Sequence, residues 1–214
     1  MTRCGAGLRI SRGREEWTLD RFDSPFFISG LGFSVMLTLY TIGHSNRPLD
    51  EFLKLAAAHE IRCLADVRAF PSSRRWPHFN REPLAASLAH HDVRYEWVPL
   101  LGGRRHGPPR PDSPHTAWTV AGFRNYADYL DSEEFSKGLE QLLALARNAH
   151  TAFMCAEAPY WRCHRRLISD RLVVLGHKVL HIETPRRAVE HHLPGFARVV
   201  GGRLIYDGGT QLEL

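Results

Sequence analysis

Two short segments hold most of the reactive side chains. Cys155-Ala156-Glu157 and Cys163-His164-Arg165 bring two thiols, a carboxylate, an imidazole and a guanidinium into one stretch of chain. Free N–H groups and the macrodipole at a helix start lower a thiol pKa, and a neighbouring His or Arg acts in the same direction. Cys163 is therefore a candidate catalytic nucleophile with His164 beside it. Glu157 is the only acid of the cluster and the candidate general base or acceptor for a ligand hydroxyl, with a pKa that burial would raise. Cys155 closes an apolar run and is either a ligand-facing thiol or a small buried core residue.

Three further polar clusters follow apolar runs: Gly43-His44-Ser45-Asn46-Arg47, Asp66-Val67-Arg68 and Leu101-Gly102-Gly103-Arg104-Arg105. His44, Ser45 and Arg47 precede a helix starting at Pro48, where free peptide amides can receive an anion. Ser45 or Asn46 alternatively serves as that helix's N-cap. Arg68, Arg74, Arg75 and Arg165 would add charge-assisted hydrogen bonds to the same anion. Asp66 orients His44 or a sugar hydroxyl, or only pairs with Arg68 or Arg47. Trp76 and Phe79 offer an apolar wall, and Gly102 and Gly103 complete the ligand-binding set. Cys155, Cys163 and His164, joined by His44 or Glu157, are also ligand types for zinc or iron. No Cys-x-x-Cys knuckle accompanies them, so no metal ligand is assigned and the cofactor is left open.

The elements that must position these residues alternate between strand and helix. Leu37–Ile42, Arg62–Val67, Tyr95–Leu100, Thr151–Met154 and Lys178–Ile182 read as strands, the third near an edge because of Pro99. Helices are predicted from Pro48 to His59, Arg81 to His91 and Cys163 to Leu175, with one long helix or a broken pair over Tyr126–Asn148. Such alternation predicts a single α/β domain, a mainly parallel sheet with helices on both faces in a Rossmann-like three-layer arrangement. Its strand C-termini gather the clusters at one edge, where ligands bind. Residues 102–122, rich in Gly, Pro, Arg and His, are expected to form a lid over that crevice. A hairpin over Phe196–Tyr206 turns at Gly201-Gly202, and the adjacent His191 and His192 are expected to be a solvated pair.

The 214 residues, 43% of them hydrophobic, suffice for one full core. Residues 1–35 lack periodicity and are expected to be a poorly ordered extension or the product of a mis-assigned start, with 36–214 as the domain. The charge of +5 rests on arginine, since Lys54, Lys137 and Lys178 are the only lysines. Arginine forks suit phosphate or carboxylate. The basic residues are scattered, so nucleic acid is not indicated as a partner. The apolar run from Phe26 to Ile42 is interrupted by Ser and Gly and is short for a bilayer. Cys4, Cys63, Cys155 and Cys163 follow no secretory signal, so reduced thiols and a cytoplasmic location are expected.

Thr41-Ile42-Gly43-His44-Ser45, Asp66-Val67-Arg68 with Pro71 and Ser73-Arg74, Leu101-Gly102-Gly103, Phe123-Arg124-Asn125-Tyr126-Ala127, Cys155-Ala156-Glu157 and Cys163-His164-Arg165 occur in an order and spacing that resembles the DUF488 family of uncharacterised bacterial and archaeal proteins. The resemblance runs from Leu37 to about Glu183 and implies a class without a reaction. A strand ending in cysteine, followed by a loop and an Arg-bearing helix, is also similar to the anion cradle of rhodaneses and cysteine phosphatases. Here the loop is longer and holds Glu157, which would repel a phosphate. The residues together predict a crevice for a small phosphate- or nucleotide-like anion, with a Cys/His/Glu centre if the protein is an enzyme. The alternatives are a zinc or iron protein, a non-catalytic ligand sensor, and an accessory of nucleic-acid processing.

Overall fold

The structure, a computed structural model, describes residues 35–208. The expectations for residues 1–34, Cys4 and the start of the apolar run among them, lie outside the described residues. Strands β1 (Thr38–Gly43), β2 (Cys63–Asp66), β3 (Arg94–Trp97), β4 (Thr151–Cys155), β5 (Lys178–Thr184) and β6 (Arg187–Glu190) form one sheet in the order β3-β2-β4-β1-β5-β6. All neighbours pair in parallel except β5 and β6. Central β4 is buried along its whole length, and its sequence TAFMC carries no charge, as expected of a parallel strand covered on both faces. β3 is an edge strand, in keeping with Pro99 just beyond it.

Helices α1 (Leu49–Ala58), α2 (Arg81–Ala89), α3 (Ala121–Tyr129), α4 (Glu133–Asn148) and α5 (Arg165–Val174) make the outer layers. The two-residue pleat sorts the strand side chains between them. Leu39, Ala65, Phe153 and Val179 pack with Tyr126, Phe135, Leu142 and Leu167 of α3, α4 and α5. Ile42, Leu64, Met154 and Ile182 pack with Phe52, Leu55, Leu84 and Leu88 of α1 and α2. By the same alternation Thr41, Cys155 and His181 fall on the α3–α5 face, and Asp66 on the α1–α2 face. That division decides which helix can reach which site residue.

The stretch expected to be one helix or a broken pair is broken. Leu130 and Asp131 separate α3 from α4, and the Ser132 hydroxyl restarts the helix by accepting from Phe135 N–H at 3.1 Å. Strands β7 (Ala197–Val200) and β8 (Arg203–Tyr206) form the expected hairpin, whose turn needs the positive φ of both Gly201 and Gly202. The expectation of a solvated histidine pair is corrected. His192 is exposed, but His191 is buried, because β6 returns antiparallel to β5 and the His191 amide bonds to the Val179 carbonyl at 2.9 Å.

Candidate functional site

β1, β2 and β4 end level with one another, Gly43 beside Cys155 and Asp66 beside Met154. Beyond these ends lies a crevice of about 1060 Å³, whose walls include His44, Arg68, Trp76, Gly103, Cys155 and Cys163. β1 can pass so close to the chain leaving β4 only because residue 43 is glycine. A Cβ there would stand 1.9 Å from the Glu157 carbonyl oxygen.

Arg165 opens α5 and is 1% exposed. Its Nε donates to Cys155 Sγ at 3.2 Å and to Cys163 Sγ at 3.3 Å. One terminal nitrogen donates to Thr41 Oγ1 at 3.1 Å, and the other to the carbonyls of Glu157 and Ala158 at 2.5 and 2.9 Å. Among the described residues no carboxylate pairs with this guanidinium. A buried charge needs an opposite one, and the two sulfurs are the groups in contact that can become anionic. They lie 3.1 Å apart, with the Cys155 thiol donating to Cys163.

Burial pushes both thiols up. In Cys163 the hydrogen bond from Cys155 and the charge of Arg165 outweigh burial and bring the pKa down to about 6. Burial and the role of donor hold Cys155 well above the ordinary thiol value. At neutral pH the pair therefore carries one proton on Cys155 and a negative charge on Cys163. Cys163 also stands just ahead of the α5 N-terminus, which favours the thiolate.

His164 completes this wall. Its Nε2 donates to the Val67 carbonyl at 2.8 Å, and its ring packs so closely against Gly103 that a Cβ there would lie 2.3 Å from Nδ1. Burial lowers its pKa, so the ring is neutral. The donor atoms of Cys155, Cys163 and His164 all lie within 4.8 Å of one another, which suits a soft metal by type. The guanidinium already supplies positive charge to both sulfurs, however, and His164 spends one nitrogen on a carbonyl. This arrangement fits a clamped thiol pair better than a metal centre.

The opposite wall is a closed network. Arg68 grips Asp66 through Nε at 2.8 Å and reaches the Phe79 carbonyl at 2.8 Å and His44 Nε2 at 3.4 Å. Tyr95 donates to the same carboxylate at 2.6 Å. His44 stacks on Phe79 and donates from Nδ1 to the Ser45 carbonyl. Burial and then the charge of Arg68 push the His44 pKa down to about 4, so this ring is neutral too. At the rim, Arg75, Arg104 and Arg162 are exposed, Arg75 lying over the Trp76 ring and Arg104 over Phe70.

Residues 48–172, more than half of the chain, match the family model described as "Domain of unknown function DUF488". The chain belongs to the DUF488 family. No curated protein and no solved structure matches it. The part of this DUF488 chain that matches contains Asp66, Arg68, Cys155, Glu157, Cys163, His164 and Arg165. His44 and Ser45 stand just before it.

Of the residues singled out from the sequence, His44, Ser45, Arg68, Gly103, Cys155, Glu157, Cys163 and His164 line the crevice together. Others are placed differently. Arg47 turns away to pair with Glu51 at 2.8 Å, one helical turn on. Arg74 is exposed and does not line the crevice, whereas Arg75 does, and Gly102 packs against Ala69. Asp66 is held by Arg68. Ser45 adopts a left-handed φ of 46°, and neither it nor Asn46 caps α1, which begins after Pro48. Glu157 is exposed where burial was expected, and it is its carbonyl that meets Arg165. Arg165 has all three nitrogens engaged inside the fold and holds sulfurs where the sequence suggested a ligand anion. Residues 102–120 form no helix or strand. Gly103, Arg104 and Val120 belong to the crevice wall, while Arg124 and Asn125 of α3 bond the carbonyls of Ser113 and Gly107 at 2.9 Å each.

The sequence reading missed Thr41, Tyr126 and Arg162. Thr41 carries a signal, a hydroxyl on the strand face it shares with Leu37 and Leu39. Tyr126 stands in the sequence only as the start of a helical stretch and within the family-like Phe123–Ala127 motif, and its hydroxyl bonds the Leu101 carbonyl at 2.7 Å beneath the crevice. Nothing in Tyr160-Trp161-Arg162 marks Arg162.

Proposed function

We propose that this protein is a thiol-dependent enzyme acting on a small anionic, phosphate- or nucleotide-like molecule held in the crevice. Cys163 is its thiolate nucleophile, Cys155 keeps the pair's proton, and Arg165 is the positioning residue that stabilises the thiolate. The observation that carries this is the buried guanidinium of Arg165 against two sulfurs, with no carboxylate on it among the described residues. Structural arginines in cores are usually paired with acids, as Arg68 is with Asp66.

The ligand class rests on the rim. Arg75, Arg104 and Arg162 are exposed at the crevice mouth, Arg75 and Arg104 with their faces on Trp76 and Phe70, and guanidinium edges of this kind fork onto phosphate or carboxylate. Glu157, exposed at the same rim, is placed to accept a ligand hydroxyl or to act as general base. Reduced, reactive thiols fit a cytoplasmic location.

Alkylation by iodoacetamide tests the reading. The rate at Cys163, followed by peptide mass spectrometry, should rise with a midpoint near pH 6, and inorganic phosphate or adenosine monophosphate should slow it. A Cys163 that reacts no faster than buried Cys63 in the folded protein would falsify the proposal.

A further inference from the structure

The two sulfurs have more in common than a nucleophile needs. Cys155 Sγ is 2% exposed as a residue, yet it too meets two N–H donors, Arg165 Nε at 3.2 Å and the Glu157 amide at 3.3 Å. A thiol that served only as a proton holder or core filler has no use for such donors. They are what a sulfur needs when its own proton leaves. Cys155 is also the nearest partner of Cys163, at 3.1 Å, and both sulfurs lie on the crevice wall.

We propose that Cys155 and Cys163 form a two-electron dithiol–disulfide couple whose substrates are small disulfides carrying carboxylates. This rests on the thiolate assigned to Cys163 above, gives Cys155 a second role beyond keeping the proton, and puts a carboxylate-bearing disulfide beside the phosphate-like anion as a substrate of the same arginine-rimmed crevice. In the first step Cys163 Sγ⁻ attacks one sulfur of the substrate disulfide. A Cys163–substrate S–S bond forms, the substrate S–S bond breaks, and one half departs as a thiolate. That thiolate takes the Cys155 proton. Cys155 Sγ⁻, held by Arg165 and the Glu157 amide, then attacks Cys163 Sγ, and the second half departs as a thiolate. The substrate disulfide gains two electrons and the protein pair loses them.

The chemistry favours Cys163 as the attacking sulfur because thiolate, not thiol, is the nucleophile in exchange. It favours Cys155 as the resolving sulfur because it stays protonated until Cys163 is no longer an anion beside it. The arginine rim selects for carboxylate-bearing substrates.

The test uses oxidised glutathione with the reduced full-length chain, read by intact and peptide mass spectrometry. The wild type should end with Cys155 linked to Cys163 and two glutathione thiols released per chain. Cys155→Ser should stop at glutathione bound to Cys163, and Cys163→Ser should give neither product. A wild type that stops at the mixed disulfide, as the Cys155→Ser variant does, overturns the couple while leaving the Cys163 thiolate intact. A Cys163 that alkylates with a midpoint near pH 6 but ignores oxidised glutathione overturns the substrate class. A Cys163 inert to iodoacetamide overturns both this inference and the function on which it rests.

Discussion

Two buried polar clusters meet at Thr41, and they differ in whether their members satisfy one another completely. On the side of the hairpin, the Thr41 hydroxyl shares a 2.7 Å hydrogen bond with His181 Nδ1, and His181 Nε2 shares one of 2.9 Å with His191 Nδ1. His191 Nε2 donates to Asp170 at 2.7 Å, and the Tyr206 hydroxyl donates to the other oxygen of Asp170 at 2.8 Å. Tyr160 lies flat on His181 at 3.4 Å and covers the chain from above. On the other side, Arg165 and the two sulfurs are equally buried, but the sulfurs line the crevice and one of them is charged. A closed network of this sort fixes a packing arrangement. An open one, with charge kept on one sulfur, costs stability, and the proposed function gives a reason for it to be retained.

The hardest way to break that distinction is to empty the centre of the closed cluster. Asp170→Ala leaves the His191 N–H and the Tyr206 hydroxyl buried without an acceptor, at about 1–3 kcal/mol each. A chain of this size loses about 2–4 °C of melting temperature per kcal/mol, so calorimetry should show a fall of about ten degrees. The Cys163 alkylation midpoint should stay near 6, because Asp170 touches neither sulfur nor Arg165. A midpoint that moves without loss of melting temperature would mean that the closed cluster tunes the thiol, and the two regions would be one.

Acid is the next largest perturbation and separates the clusters by what they titrate. Burial lowers the pKa of His44, His115, His164, His177 and His181, that of His44 to about 4. A lowered histidine pKa means that the unfolded chain takes up protons first. Stability is therefore full above about pH 6.5 and is lost as pH falls toward the folded values. His44 alone accounts for about 2 kcal/mol between pH 6.5 and 5, at about 1.4 kcal/mol per unit. Melting temperature should drop by at least about 4–8 °C over that interval. A flat profile from pH 7 to 5 would mean that these rings charge freely in the folded state.

The convergence of the site was legible in the sequence because apolar runs ended at polar clusters, and a parallel sheet puts such ends at one edge. β1, β2, β4 and α5 follow that pattern, and so did the choice of Cys163 and His164. Direction was not legible. Whether Arg165 faces the crevice or the core depends on how the first turn of α5 meets β1 and β4. That is set by the whole packing and not by a local motif. The burial expected of Glu157 fails for the converse reason: it follows a fully buried strand, but its chain turns outward one residue after Cys155. β6 escaped notice because Arg187-Ala188-Val189-Glu190 is short, polar and at an edge. His191 depends on that strand for its burial.

Arg165→Lys tests the open cluster at smaller cost. A lysine keeps the charge but cannot fork to Thr41, both sulfurs and two carbonyls at once. The Cys163 midpoint should rise by about one unit, equivalent to about 1.4 kcal/mol, with the fold retained in circular dichroism. Arg165→Ala, by contrast, removes the buried charge altogether and should cost far more stability, as an exposed ligand-binding arginine would not. If both substitutions leave the midpoint at about 6, the thiolate owes nothing to the guanidinium, and the pairing of Arg165 with the sulfurs is packing alone.

Arg162→Ala should have the smallest effect on the fold and isolates the rim from the clamp. Its side chain is exposed and lines the crevice mouth, so folding stability should stay within about 0.5 kcal/mol of wild type, as with most exposed substitutions. The alkylation midpoint of Cys163 should not change, since Arg162 does not contribute to it. What should change is protection: phosphate should slow alkylation less, by about two- to fivefold in its half-effective concentration, the range of one exposed charge pair, and the loss should shrink as salt is added. Unaltered protection in Arg162→Ala and in Arg104→Ala alike would remove the rim from the site. The anion would then sit deeper, against the peptide amides of the loop after β1, and the open cluster would have to recognise its ligand without help from the arginines above it.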